Sequence, residues 1–287
     1  IFICILTLTA FLRTLQYLYL TIHCSSTMLG KASIGLGMGN VSSTIVLIPS
    51  RLASTRLPNK PLADIHGEPM VVRVWRQAIA ADVGDVFVAC GDEAIAHAVE
   101  EAGGTAIITR SDHASGSDRI FEALKRVDRD HSVERVINLQ GDLPTIEPEA
   151  IHKVLEPLSR PEIDISTLAA EITDCREQED PNVVKVVTAL GGDTTVARAL
   201  YFTRLLAPGG NGPFWHHIGI YGYQRSALEK FVQLPPSRLE EREKLEQLRA
   251  LEAGLRVEVV RVAMVPLGVD THADLDRVRQ LFETKGV

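Results

Sequence analysis

Three cations fall within one short stretch, SRLASTRLPNKPL (50–62): Arg51, Arg56 and Lys60, interleaved with Ser50, Ser54 and Thr55. A polyphosphate needs several donors converging on several oxygens, and arginine supplies them in a fixed, permanently charged fork. The plain alternative is a solvated surface loop that happens to be basic. It is disfavoured because the stretch directly follows an apolar run, TIVLIP (44–49), in a chain of formal net charge −7. The stretch is not GxxxxGK[ST], so it is not the loop of a P-loop ATPase. GLGMGN (35–40) precedes the first strand and fails the context required of a dinucleotide turn.

Two carboxylates complement that loop. Asp142 lies in NLQGDLP (138–144) and Asp270 in PLGVDTHADL (266–275), each after a predicted strand. Alone, each reads as turn chemistry. Together, at neighbouring strand ends and facing a basic loop, they predict one or two magnesium ions between a triphosphate and an attacking hydroxyl. Thr271 is placed to cap the last helix. Other polar residues give weaker signals. Arg119, in SDHASGSDR (111–119), could serve a phosphate, a base or only a helix surface. His216 and His217 are consecutive on a strand, point to opposite faces, and have no second metal ligand at useful spacing. Glu246 and Gln247 sit on a charged helix whose default is solvation.

The elements that must position these groups follow from periodicity. MVVRVWRQAIAA (70–81) places Met70, Val71, Val74, Trp75, Ala78 and Ile79 on one helical stripe. A strand over 85–90 leads to a helix over 92–102, with Asp92 as its N-cap. A strand over 105–109, a helix over 118–127 and a strand over 135–140 follow. This alternation predicts a mostly parallel sheet covered on both faces. After about Ile163 the chain turns β-rich (164–172, 182–187, 198–203, 216–223), as for a mixed extension of the sheet or a smaller lobe built against it. Helices over 225–234 and 239–254, a strand over 256–264 and a helix over 272–283 complete it. The fold class is α/β, three-layered, with a subordinate β-rich lobe. Ligands of such sheets bind at the carboxyl ends of strands, which singles out the loops after Pro49, Gln140 and Pro266.

Bulk properties narrow the function. The chain has 287 residues, 45% hydrophobic and 23% charged, enough for a substantial core. Its acidic balance argues against a general nucleic-acid binder. The four cysteines (Cys4, Cys24, Cys90, Cys175) show neither CxxC nor zinc-ligand spacing, so a reduced, cytosolic setting is expected. Residues 1–24 are apolar and about as long as the ~20 residues of a bilayer span, yet Arg13 falls in the middle. A membrane anchor, a signal sequence and a non-native extension compete for them. The last is favoured, because a signal peptide would export an enzyme whose triphosphate is intracellular. Residues 25–43, rich in Ser and Gly, read as a disordered lead-in.

The motifs resemble, in order and spacing, the CMP-Kdo synthetase family (3-deoxy-manno-octulosonate cytidylyltransferases). IPSRLASTRLPNKPLADIHGEPM is similar to that family's opening signature, and TRSDHASGSDR, NLQGDLP, NVVKVV, ALYFTR, HHIGIYGY, KLEQLRALEAG and GVDT follow in register. The resemblance runs from about Thr44 to Phe282 and divides the chain into an extension, 1–43, and a cytidylyltransferase domain, 44–287. It implies a nucleotide-diphospho-sugar transferase fold, magnesium as cofactor, a homodimer, and transfer of CMP from CTP to the anomeric hydroxyl of Kdo for lipopolysaccharide biosynthesis. Carried onto these positions, Arg51, Arg56 and Lys60 would hold the triphosphate, and Arg119 would lie against the nucleotide. Asp142 and Asp270 would bind magnesium. Gln140, Arg204, His217, Tyr221, Glu246 and Gln247 would line the sugar-acid pocket, with Gln140 also touching CTP. Arg51, Lys60, Asp142 and Asp270 would be catalytic.

Two departures stand out. Leu143 replaces the family's usual glutamate, giving GDLP, which would lower magnesium affinity if that glutamate shapes the metal shell. Gln224 stands where arginine is common. The rivals are a cytidylyltransferase for another acid sugar, of sialic type, and a non-catalytic nucleotide-sugar-binding or membrane-associated protein. HHIGIYGY and KLEQLR favour Kdo; retention of Asp142, Asp270 and the three loop cations favours catalysis.

Overall fold

A computed structural model of the chain describes residues 43–53 and 56–285. Ser54, Thr55 and all but the last residue of the 1–43 extension, including the apolar segment 1–24, lie outside the described residues. Ser43 already belongs to the folded unit, its carbonyl accepting from Glu134 N and Arg135 N at 2.9 Å each. Among the described residues no helix is long and apolar enough to cross a membrane.

Strand β1 (Thr44–Ser50) is buried along nearly its whole length. Its side chains alternate between two cores: Ile45 and Leu47 enter one, Val46 and Ile48 the other. Such two-sided burial requires helices on both faces. On one face lie α1 (Met70–Ala81), α2 (Glu93–Glu101) and α4 (Pro148–Leu155), contributing Val71, Val74, Trp75, Ile95, Val99, Ile151 and Val154. On the other lie α3 (Gly116–Val127) and α6 (Arg225–Gln233), with Ile120, Leu124, Leu228 and Phe231. The stripe on α1 holds at five of its six expected positions; Ile79 is 49% exposed, Val72 and Ala81 are buried as well, and the helix packs chiefly against α4 and the strand Asp85–Cys90.

The remaining strands are β2 (Asp64–Ile65), β3 (Glu68–Pro69), β4 (Asp85–Cys90), β5 (Ala106–Ile108), β6 (Arg135–Asn138), β7 (Ile165–Glu171), β8 (Lys185–Thr188), β9 (Val196–Thr203), β10 (Trp215–Gln224) and β11 (Val257–Val262). β2 and β3 form a separate small hairpin; the others make one nine-stranded sheet in the order β5-β4-β1-β6-β10-β7-β11-β9-β8. The first four are parallel, as expected. Beyond β6 the sheet is mixed: β10 runs antiparallel to both β6 and β7, β11 is parallel to β7, and β9 and β8 return antiparallel. The β-rich run is therefore an extension of the main sheet, the first of the two arrangements its sequence allows. Inserting β10 between β6 and β7 is what makes it continuous.

The helix expected over 239–254 is two helices, α7 (Arg238–Glu243) and α8 (Leu248–Glu252). A capping box from Ser237 and Glu240 starts α7, and Lys244, at φ 58°, stops it. That left-handed residue turns the next three inward, so Leu245 and Gln247 are buried. The short helix α5 (Cys175–Glu179) buries nothing. The last helix, α9 (His272–Lys285), starts as expected at Thr271, whose hydroxyl accepts from Asp274 N at 3.3 Å.

Candidate active site

The basic loop begins where β1 ends. Arg51 follows Ser50, and the chain returns through Leu57, 2% exposed, to a 3₁₀ turn at Lys60–Leu62. Leu57 packs with Ile65, Met70, Val269, Leu275, Val278 and Phe282 in a third apolar cluster. Val269, 1% exposed, immediately precedes Asp270. Burying two such side chains contributes about 1.5–3 kcal/mol each, whereas the Arg56–Asp270 ion pair (3.1 Å) is half exposed and adds at most about 1 kcal/mol. Apolar anchors, not the ion pair, hold Arg56 and Asp270 face to face.

Asp142 and Asp270 do not sit at neighbouring strand ends. β6 and β11 are separated in the sheet by β10 and β7. The loop after β11 reaches back across: Leu267 N donates to Thr145 Oγ1 at 2.7 Å, and Val269 N to the carbonyl of Asp142 at 3.0 Å. Leu143 belongs to this junction. Its Cδ2 lies 3.5 Å from where a Cβ on Gly268 would stand, so it packs the loop that carries Asp270.

Lys60 Nζ donates to Asp142 Oδ2 at 2.8 Å and to Asp270 Oδ1 at 3.0 Å. Burial opposes charge on Lys60, but the two carboxylates outweigh it and raise its pKa. Lysine is thus engaged by the two acids, a role the sequence does not suggest. Around these groups opens a cleft of about 380 Å³ lined by Arg51, Arg56, Arg119, Gln140 and Gly141, and by His113 and Ser115. A Cβ on Gly141 would approach the Pro49 carbonyl to 3.2 Å, so a larger residue there would have to push against the end of β1. Arg119 is buried, and its NH1 donates to Thr109 Oγ1 (2.7 Å) and the Arg110 carbonyl (3.0 Å). Burial lowers its pKa, with Asp92 the strongest opposing charge. Seven sequence-predicted residues therefore meet in one cleft: Arg51, Arg56, Lys60, Arg119, Gln140, Asp142 and Asp270.

The other five do not line it. His217, Tyr221 and Glu246 gather beside it, on and against β10, and Gln247 is buried at the start of α8. His217 lies between Phe202 (edge to face, 4.9 Å) and Tyr221 (tilted, 5.5 Å), and its Nε2 lies 3.0 Å from Thr167 Oγ1. Burial pushes its pKa to about 3 and that of His216 to about 4, so both are neutral near pH 7. Ser117 Oγ donates to Glu246 Oε2 at 2.9 Å; burial still raises the Glu246 pKa against hydrogen bonds from Ser115 and Ser117. Arg204 stands apart, its guanidinium donating to the carbonyls of Glu243 and Pro181 at 3.0 Å each.

Gln140 joins the two regions. Its Nε2 donates to Asn138 Oδ1 at 3.0 Å, and Asn138 and Ser117 hydrogen-bond Tyr223. Asn138, Ser117 and Tyr223 were not legible as site residues. Asn138 and Tyr223 lie within strands whose pattern announces only burial, and Ser117 is one small residue in a helix.

The comparisons decide what this arrangement belongs to. The sequence profile described as cytidylyltransferase matches residues 45–258. A 3-deoxy-manno-octulosonate cytidylyltransferase of Rhodopseudomonas palustris (strain HaA2) is 61% identical over 239 residues, 83% of this chain and 97% of the relative. Its counterpart in Rhodospirillum centenum is 57% identical over 241 residues, 84% of this chain and 94% of the relative. The chain belongs to the 3-deoxy-manno-octulosonate cytidylyltransferase family. A solved CMP:2-keto-3-deoxy-manno-octonic acid synthetase complexed with CTP superposes with a TM-score of 0.78 at 39% identity, covering 84% of this chain and 99% of that one. A 4-diphosphocytidyl-2C-methyl-D-erythritol synthase from Anaerococcus prevotii shares the fold alone (TM-score 0.57, 13% identity). Within this cytidylyltransferase, the cleft and the β10 cluster are the two places where the family's predicted residues collect.

Proposed function

We infer that the chain transfers CMP from CTP to the anomeric hydroxyl of Kdo, releasing pyrophosphate, as a step toward lipopolysaccharide. The observation that carries this is the pairing of a cleft rich in arginine and lysine with a buried, aromatic, hydroxyl-rich cluster, linked through Gln140. The hydroxyl oxygen attacks the α-phosphorus in line, its bond to phosphorus forms, the bond to the bridging oxygen of pyrophosphate breaks, and the hydroxyl proton leaves to solvent. No protein nucleophile is needed; the work is positioning and charge stabilisation. Arg51 and Arg56 face the phosphates, and Lys60 neutralises charge between them and the two acids. Arg119, held rigidly by Thr109 and Arg110, presents a fixed edge to the nucleotide.

Magnesium is part of the proposal, and the donor set fits it. Asp142 and Asp270 already converge on a single cationic nitrogen, and magnesium completes its shell with phosphate oxygens and water. Bound there, it would neutralise phosphate charge and lower the pKa of the attacking hydroxyl. A cytoplasmic location follows from the intracellular triphosphate. A homodimer is supported by Leu200, Leu205 and Leu206, exposed on β9 and the loop after it.

The test supplies CTP and magnesium with Kdo or sialic acid and measures pyrophosphate release. Turnover with Kdo and little with sialic acid is expected. No turnover with Kdo, or equal turnover of both, sinks the reading.

A further inference from the structure

β1 and β4 run parallel, with Ser50 opposite Cys90. The residues just beyond the two strand ends, Arg51–Leu52 and Gly91–Asp92, are therefore brought side by side. Asp92 occupies the N-cap position of α2, with extended backbone (φ −131°, ψ 126°), yet its side chain makes no cap hydrogen bond. Its Oδ2 instead accepts from Leu52 N at 3.0 Å, forty residues away. A cap is worth roughly 1 kcal/mol to a helix. The carboxylate forgoes it to hold the backbone one residue after Arg51.

The same carboxylate lies within electrostatic reach of Arg119, which lines the cleft together with Arg51. Arg119 is packed so closely behind Gly91 that a Cβ there would lie 2.9 Å from its NH1 and 3.0 Å from Ser111 Cα. Arg51 repels Arg119, and Asp92 attracts it. One side chain thus fixes the first turn of the phosphate loop by a hydrogen bond and offsets part of the charge on the buried guanidinium.

We propose that Asp92 is a positioning residue for CTP: by accepting from Leu52 N it fixes the first turn of the basic loop, so that Arg51 meets the triphosphate with its backbone already ordered. This rests on the CTP-dependent reading above. An ordered loop lowers the entropy lost on binding, so the effect falls on nucleotide affinity rather than on the chemical step.

Three variants separate the tether from a role in helix stability. Asp92→Ser supplies a good N-cap with a side chain too short to bridge to Leu52; Asp92→Ala removes both functions; Asp92→Asn keeps an acceptor of the same reach without the charge. Steady-state kinetics with CTP and Kdo, and calorimetric titration of CTP without Kdo, are the readouts. Asp92→Ser and Asp92→Ala should raise KM and Kd for CTP about tenfold, the scale of one hydrogen bond to a charged group. Their KM for Kdo and their kcat should stay within about twofold, the scale of a surface change. Asp92→Asn should recover most of the CTP affinity. The inference is overturned if Asp92→Ser binds CTP like the wild type, if Asp92→Asn is no better than Asp92→Ser, or if KM rises equally for both substrates. A wild type that makes no CMP-Kdo fails the functional reading instead, whatever the variants do.

Discussion

The two halves of the site are built on opposite physical plans. The phosphate side is charged and partly exposed, its groups paired with one another: Lys60 lies between Asp142 and Asp270, and Arg56 against Asp270. The β10 side is buried, with the neutral His217 and Tyr221 ring to ring and burial raising the pKa of Glu246. Charges near solvent can exchange one partner for another at little cost, which suits the binding and release of a triphosphate with the proposed metal. Buried polar groups are expensive to leave unpaired, which suits discrimination among sugars that differ by a hydroxyl or an amide.

If that contrast is right, the largest loss comes from the phosphate side. Asp270→Asn should lower kcat by about 10²-fold or more, the scale of losing a group aimed at transition-state charge. Its melting temperature should barely move, because the ion pairs of Asp270 are half exposed. Near-normal turnover would remove Asp270 from the reacting centre and erase the contrast. Glu246→Ala probes the other half. It should raise KM for Kdo about tenfold through the hydroxyls left without their acceptor, while KM for CTP stays within about twofold. Equal changes for both substrates would show that the two halves act as one.

A pH experiment sharpens the comparison further. His216 and His217 have folded pKa values of about 4 and about 3, below the unfolded value near 6.5. Between these limits the unfolded chain binds more protons than the folded one, so stability is lost as pH falls from about 6.5 toward 4. Each histidine contributes on the order of 1 kcal/mol per pH unit across that window. Denaturant unfolding of His217→Asn should show a shallower slope than the wild type; identical slopes would mean that His217 is not buried neutral. The smallest effect belongs to Leu143→Glu. Because Leu143 packs toward Gly268 and does not line the cleft, the magnesium concentration giving half-maximal rate should change by less than about threefold. A larger gain would place this position in the metal shell.

Legibility divided along the same line as the site. Arg51, Arg56, Lys60, Asp142 and Asp270 stand out in the sequence because a charge directly after an apolar strand breaks a pattern. Arg119 and the β10 cluster break none: a buried tyrosine or histidine looks like core, and Glu246 looks like one more surface acid. On residue chemistry alone they are weak candidates, and only the resemblance gives them roles; of the residues it adds, Arg204 does not join the others. Gln247 and Glu246 turn inward because Lys244 adopts a left-handed backbone, a conformation that composition does not announce. Asp92 misled for a related reason. Local preference assigns it to its own helix, and only the parallel register of β1 and β4 supplies the competing donor.

The α/β alternation, the parallel start of the sheet, and a basic loop with two acids at strand ends are legible in the amino-acid sequence. Periodicity and charge are local properties, readable within about ten residues. Tertiary structure alone decided that β10 is inserted between β6 and β7, that the loop after β11 crosses back to Asp142, and that Lys60 sits between the two acids. Those contacts join residues 82 and 210 positions apart for Lys60, and 40 apart for Asp92. At such separations partners are chosen by strand order and the burial of Leu57 and Val269, which no local pattern encodes.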